Sequence, residues 1–154
     1  MAQHSSIQKT GIYYGILTGV ASIIYIILIK LFGLIEEVGL HFLTGLILVA
    51  GICLAIKKYK ESKNGHISYL EGIGLGGIVG LTSSILYSIF QVIADYTFNL
   101  GYSYPYKADE SYGGEQSIWL VAVTWIIMGI VIGSFVGYLA MQFFKRPDHK
   151  LSDI

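Results

Sequence analysis

Charged residues are scarce in this chain. Asp, Glu, Lys and Arg make up 13% of its 154 residues, whereas apolar types make up 54%. A water-soluble domain of this size has a high ratio of surface to volume, so it needs many charged side chains to cover that surface. The composition therefore excludes an ordinary soluble domain. The few charges that are present are clustered between long apolar stretches.

Cysteine and proline are also nearly missing. The one cysteine, Cys53, lies inside an apolar stretch, which excludes an intramolecular disulfide and a cysteine-type metal site. Pro105 and Pro147 are the only prolines, and both lie outside the long apolar stretches. Those stretches therefore predict unbroken helices that lose no backbone donor inside a bilayer.

Sequence motifs of known chemistry are missing as well. The four histidines are His4, His41, His66 and His149. No two of them have the spacing of three or four residues that places two metal ligands on one helix face. Gly72, Gly74 and Gly77 fit G-x-G-x-x-G, but no strand precedes them, so a dinucleotide site is not indicated. We expect no catalytic residue, no metal and no cofactor.

Four apolar stretches are long enough to cross a bilayer, which takes about 20 residues. They cover residues 11–32, 38–56, 72–94 and 118–144. The first is too long for the apolar part of a signal peptide, so we interpret it as a retained helix. The sequence predicts an all-α fold, an integral membrane four-helix bundle made of one membrane domain over residues 1–154.

The basic residues predict the orientation of this bundle. Eight of the ten lie at the N-terminus, in the loop 57–71 or in the C-terminal tail, namely Lys9, Lys57, Lys58, Lys60, Lys63, Lys145, Arg146 and Lys150. Only Lys30 and Lys107 lie on the opposite side, which carries most of the acidic residues. Basic loops stay in the cytoplasm. We therefore expect both termini and loop 57–71 to be cytoplasmic and loop 95–117 to be external.

Glycines recur at a spacing of four residues in three of the stretches. The three ladders are Gly11, Gly15 and Gly19; Gly72, Gly76 and Gly80; and Gly129, Gly133 and Gly137. Small residues on one helix face let two backbones approach closely in lipid. The ladders therefore predict tight packing in the cytoplasmic half of the bundle. The alternative is that one ladder serves as an oligomer interface or as a seam that slides.

The outer half is expected to be wider, aromatic and mildly polar. Its bulky side chains are Tyr25, Phe32, Phe42, Tyr87, Phe90 and Trp119, and some of them are expected to form an interfacial aromatic belt.

Four polar residues also lie towards this end and are candidates for an outward-facing polar pocket, namely Lys30, His41, Gln91 and Asp95. The alternative is that each of the four is an ordinary interfacial residue. Nearer mid-membrane, the third stretch offers only hydroxyls, which commonly bond to a helix backbone.

The start of the third helix has a specific signal. Ser68 and Glu71 fit the S-x-x-E capping box immediately before an apolar stretch, which predicts that the third helix begins here.

The segments 57–60 (KKYK) and 64–72 (NGHISYLEG) around the capping box resemble the join between the second and third spans of the DUF4199 family. That family comprises small four-helix membrane proteins, mainly of Bacteroidetes. The resemblance implies a bacterial inner membrane and supplies no catalytic residue.

These features predict a multi-pass inner-membrane protein without enzymatic activity, acting as an accessory or scaffold subunit of a membrane assembly. Its expected partners are the lipid bilayer and other membrane proteins, or further copies of itself bound through glycine faces, and no nucleic acid. The alternative is a small oligomeric transporter or lipid-handling protein. A continuous polar groove reaching Ser84 or Ser88 would favour transport, whereas a solid bundle would favour the accessory role. A membrane enzyme has only Lys30, His41 and Asp95 as candidates.

Overall fold

The fold consists of four long α-helices joined in sequence. The computed structural model describes residues 6–33, 38–63, 65, 67–98 and 118–144. The helices are α1 (Ile7–Leu31), α2 (Val38–Ser62), α3 (Tyr69–Phe98) and α4 (Ile118–Phe144). Each helix is long and apolar enough to cross a membrane. The predicted all-α fold with four such helices is confirmed.

Three helices are longer than the apolar stretches that predict them. α1 begins four residues before Gly11, α2 continues from Ile56 to Ser62, and α3 extends at both ends, whereas α4 has the predicted bounds. Hydropathy marks where the apolar side chains stop. A helical backbone satisfies its own hydrogen bonds and can continue through lysines into a polar environment. The loop between α2 and α3 is correspondingly shorter than 57–71.

Glycines in the left-handed conformation end two of the helices. Gly33 has φ +68° and donates its N–H to the carbonyl of Lys30, directly after α1. Gly65 has φ +87° and donates to the carbonyl of Lys60 near the end of α2. Residues with a Cβ are disfavoured at such angles, so these two glycines fix where the chain leaves the helix.

The four helices run alternately up and down, and α3 lies at the centre. α2 and α3 each contact all three other helices, and α3 makes the more extensive contacts, whereas α1 and α4 do not touch one another within the described residues. α1 begins and α2 ends at the same end of the bundle as the join between α2 and α3, which we call the 57–71 end. We call the opposite end the 95–117 end; residues 99–117 lie outside the described residues.

Two apolar clusters fill the interior, one towards each end. At the 57–71 end, α2, α3 and α4 contribute fully buried side chains such as Ile56, Leu75 and Met141. At the 95–117 end, Ile26, Tyr87 and other side chains from α1, α3 and α4 form the second cluster. The first cluster includes Tyr59, which is buried although it lies among the lysines of α2. Tyr59 thereby anchors the basic end of α2 to the bundle.

A network around Glu71 fixes the join between α2 and α3. Ser68 Oγ accepts the Glu71 N–H at 3.2 Å, and Glu71 Oε2 accepts the Ser68 N–H at 2.9 Å, so the predicted capping box is confirmed. Glu71 Oε1 also accepts from Lys63 Nζ at 2.7 Å and from the Tyr59 hydroxyl at 3.3 Å. The hydrogen bonds from Lys63, first of all, and from Ser68 lower the pKa of Glu71 to about 2.

The Glu71 network makes a testable contribution to stability at low pH. A depressed carboxyl pKa stabilises the fold above the ordinary value of 4.5, and this contribution is lost as pH falls from there through about 2. We expect Glu71→Gln to remove that part of the pH dependence and to lower the free energy of unfolding by about 1 kcal/mol at pH 7. Thermal unfolding in detergent between pH 6 and pH 2 measures both effects.

Glu61→Gln is the matched control, because Glu61 makes only an exposed pair with Lys58 at 3.4 Å. That variant should keep the wild-type pH profile, since exposed pairs of this kind contribute little. An unchanged profile in Glu71→Gln would show that the network does not stabilise the fold.

Candidate functional site

A close seam joins α3 and α4. Here the glycine ladders of the two helices meet backbone to backbone in antiparallel order. A Cβ placed on Gly133 would stand 2.5 Å from the Gly76 carbonyl oxygen and 2.9 Å from the Cα of Gly80. One placed on Gly137 would stand 2.7 Å from the Gly72 carbonyl oxygen and 3.3 Å from the Cα of Gly76. Only glycine fits this spacing, since real Cβ atoms almost never approach other atoms so closely.

The ladder of α1 packs on side chains rather than on a second ladder. Gly11 faces Ile78, Gly15 faces Thr82 and Gly19 faces Leu86, in parallel order along α3. In α2, Gly51 lies against Thr18 of α1. All nine ladder glycines are buried within one copy of the chain. The arrangement therefore assigns each ladder to a contact inside the bundle.

Hydroxyl groups along the interior bond mainly to helix backbone. Ser83 and Ser84 each donate to the carbonyl three residues earlier, at 3.1 and 3.0 Å. Thr18 donates to the Tyr14 carbonyl at 2.7 Å. Ser88 is the exception, because it donates across the seam to the Ala122 carbonyl of α4 at 3.1 Å. Of these four hydroxyls, only that of Ser88 joins two helices, and the other three bond within their own helix. All four are engaged with backbone carbonyls and do not line a polar path.

A groove of about 350 Å³ opens between α3 and α4 towards the 95–117 end. Its floor is formed by the small, buried residues Ser88 and Ala122. Its walls are large apolar side chains of both helices, namely Ile85, Ile89, Val92, Ile93, Trp119, Val123 and Ile126. Five of these walls, three isoleucines of α3 with Trp119 and Val123, are themselves exposed. The result is an apolar trough on the surface of the bundle.

The groove begins where the glycine seam stops. The α4 ladder ends at Gly129, and the residues that continue its face are bulkier, beginning with Ile126 and Ala122. Beyond Gly129 the Ser88 hydroxyl still reaches the Ala122 carbonyl, and the groove lies between the larger side chains around that contact. Sequence reasoning identified the ladders but missed the groove. The available signal was the change from Gly129 to larger residues along one face of α4.

The four candidates for a polar pocket have different surroundings. Gln91 is buried at 4% exposure, and its Oε1 atom has no hydrogen-bond partner among the described residues. Asp95 lies one turn further along the same face of α3 and is partly exposed. Lys30 is exposed on α1, and no ion pair between described residues joins it to Asp95. The side chain of His41 lies outside the described residues. In the described part of the chain, no three metal-ligand side chains converge.

The bulky groups expected at the 95–117 end divide into two sets. Phe32, Phe42 and Trp119 are exposed, as members of an interfacial belt would be. Tyr87, in contrast, is buried and stacks edge-on against Trp125 with ring centroids 5.9 Å apart. Tyr25 donates its hydroxyl to the Leu40 carbonyl at 3.0 Å, and Phe90 packs against the second cluster. These three side chains therefore join helices inside the bundle.

The seam predicts that Gly133→Ala is destabilising. The added methyl would press on the backbone of α3, which cannot rotate away, so α3 and α4 must separate. We expect the free energy of unfolding to fall by about 1–3 kcal/mol. Gly45→Ala is the matched control, since a Cβ at Gly45 meets nothing within 4 Å. The control should be neutral or slightly stabilising through helix propensity. Chemical unfolding in detergent measures both, and equal effects would contradict the importance of the seam.

Replacing Gln91 is expected to raise the stability of the fold, in contrast to Gly133→Ala. A buried amide oxygen without a partner costs about 1–3 kcal/mol, and methionine has a similar shape without that cost. We expect Gln91→Met to raise the free energy of unfolding by about 1 kcal/mol. Ser88→Ala is the control and should be destabilising, because it leaves the Ala122 carbonyl without its donor. A loss of stability in Gln91→Met would show that the amide has a bound partner in the purified protein.

Comparisons with protein-family models, with curated proteins and with solved structures give no match to this chain. The resemblance of segments 57–60 and 64–72 to the DUF4199 family therefore stays a prediction from the sequence. The site consists of a closed glycine seam and an apolar groove between α3 and α4, with the buried amide of Gln91 on the same helix as the groove wall of α3.

Proposed function

We propose that this chain is a multi-pass protein of a bacterial inner membrane, without enzymatic activity, that serves as an accessory or scaffold subunit of a larger membrane assembly. Four helices of membrane-spanning length and composition support the insertion. The lysines at the 57–71 end support a cytoplasmic location for that end and for both termini. Membership in the DUF4199 family is part of the same proposal and rests on the sequence resemblance.

The closed glycine seam is the observation that carries the proposal. The backbone contact leaves no room for a solute between α3 and α4 along the glycine seam. The groove that reaches Ser88 is walled by apolar side chains, and the Ser88 hydroxyl is already bonded to Ala122. A continuous polar groove, which transport would favour, is not found among the described residues. A solid bundle acts through its outer surface.

The outer surface of α4 is the candidate face for a partner. α4 carries no charged residue, and it packs only on α3 and α2 within the described residues. Ile127, Val131, Phe135 and Tyr138 follow one another at helical spacing, and each is between 45% and 59% exposed. A second membrane helix can pack on this stripe in lipid, where association depends on van der Waals contact.

Photocrosslinking in native membranes tests the scaffold role. A photoreactive residue at Val131 should give discrete crosslinks to one or a few proteins, identified by mass spectrometry after mild detergent extraction and affinity purification. The same residue at Leu75, which is fully buried, is the control and should give only intramolecular products. Recovery of the chain alone, with lipid adducts at Val131, would contradict the scaffold role.

Lipid handling is the alternative that one observation favours. The groove between α3 and α4 is apolar throughout, so it suits a hydrocarbon chain better than a polar solute. This alternative predicts that lipid, and no other protein, co-purifies with the chain. The same purification therefore separates the two functions.

A further inference from the structure

The surface of the groove between α3 and α4 is apolar. Its one hydroxyl belongs to Ser88 in the floor, and that hydroxyl already donates to the Ala122 carbonyl at 3.1 Å. An occupant with donors or acceptors of its own would leave them unsatisfied, at a cost that hydrocarbon avoids. The groove therefore selects for a chain of methylene groups.

The shape of the groove fits one such chain. From Ile85 to Ile93 it runs eight residues along α3, or about 12 Å at the usual helical rise. The floor residues Ser88 and Ala122 are small and buried, whereas the walls are large and exposed. This gives a narrow trough of about 350 Å³ that follows the helix axis, which is the direction of an acyl chain in a bilayer.

A carboxylate lies directly beyond the groove. Asp95 is three residues after Val92 and seven after Ser88, so it shares their side of α3 at the 95–117 end. It is partly exposed, and it makes no ion pair with another described residue. Trp119, 61% exposed, stands at the same end on α4, and tryptophan favours the headgroup level of a membrane. Among the described residues, a carboxylate without an ion pair therefore lies at the level of a lipid headgroup.

We propose that this groove binds one acyl chain of an outer-leaflet phospholipid whose headgroup carries a primary ammonium, and that the ammonium pairs with Asp95. The three N–H donors of a primary ammonium match a carboxylate, whereas an anionic headgroup would be repelled. The site rests on the membrane insertion and orientation given under Proposed function. It does not depend on the scaffold role.

The two tryptophans of the chain allow a direct test. Trp125→Phe leaves Trp119, a wall of the groove, as the reporter, and Trp119→Phe leaves Trp125, which stacks on Tyr87. Each single-tryptophan protein is reconstituted into vesicles that mix a plain lipid with one brominated lipid of identical chains. The brominated lipid carries an ethanolamine, choline or glycerol headgroup. Bromine quenches only a tryptophan that it touches, so the quenching reports relative occupancy.

We expect Trp119 to be quenched about three to five times more effectively by the ethanolamine lipid than by the other two lipids. This ratio corresponds to the free energy of one partly exposed ion pair. Asp95→Asn should abolish this preference, and Val123→Phe, which fills the groove from an exposed position, should reduce quenching of Trp119 by every lipid. Trp125 should show no headgroup preference in any variant.

Three outcomes would overturn the proposal. Equal quenching of Trp119 by the ethanolamine and choline lipids, with weaker quenching by the anionic glycerol lipid, would show that Asp95 repels an anion but does not prefer a primary ammonium. A preference that survives Asp95→Asn would place the selectivity elsewhere. A preference shared by Trp125 would indicate general lipid sorting around the bundle. Failure of insertion is distinguishable, because neither tryptophan would then be quenched by any brominated lipid.

Discussion

The backbone contact between α3 and α4 is the constraint on which the rest of the bundle depends. Three glycines from each helix bring the two backbones together, so the pair behaves as one unit along its closed half. α1 and α2 then pack on the other sides of α3, and α1 never reaches α4 within the described residues. Close van der Waals contact of this kind associates helices even in lipid, where no hydrophobic force acts between them.

The seam also makes the two ends of the bundle different. Towards the 57–71 end, the closed seam adjoins a buried apolar cluster and the Glu71 network. Towards the 95–117 end, the glycine ladder of α4 stops at Gly129, and an apolar groove lined by larger side chains lies between the two helices. The asymmetry thus follows from the point along α4 at which the glycine ladder stops.

Sequence patterns predicted the helices and the start of α3, because both depend on local physics. Apolar length predicts four helices, and the capping box around Ser68 needs only residues three apart. Pairing could not be predicted in the same way. A glycine ladder shows which face of a helix is small but not which helix lies against it, and the α1 ladder indeed packs on Ile78, Thr82 and Leu86 instead of on glycine. The burial of Gln91 and Tyr87 depends on that pairing.

The polar side chains of α3 acquire their meaning from the same face. Ser84, Ser88, Gln91 and Asp95 continue the line of Gly80 towards the 95–117 end at spacings of three and four residues. Taken alone, this line resembles a polar path that descends into a membrane. In the structure it lies mostly within the bundle: Ser84, Ser88 and Gln91 are buried, and only Asp95 is partly exposed. A buried line whose hydroxyls are bonded to backbone is a continuation of the packing and not a route for a solute. Function is therefore expected on the surfaces that the bundle leaves open.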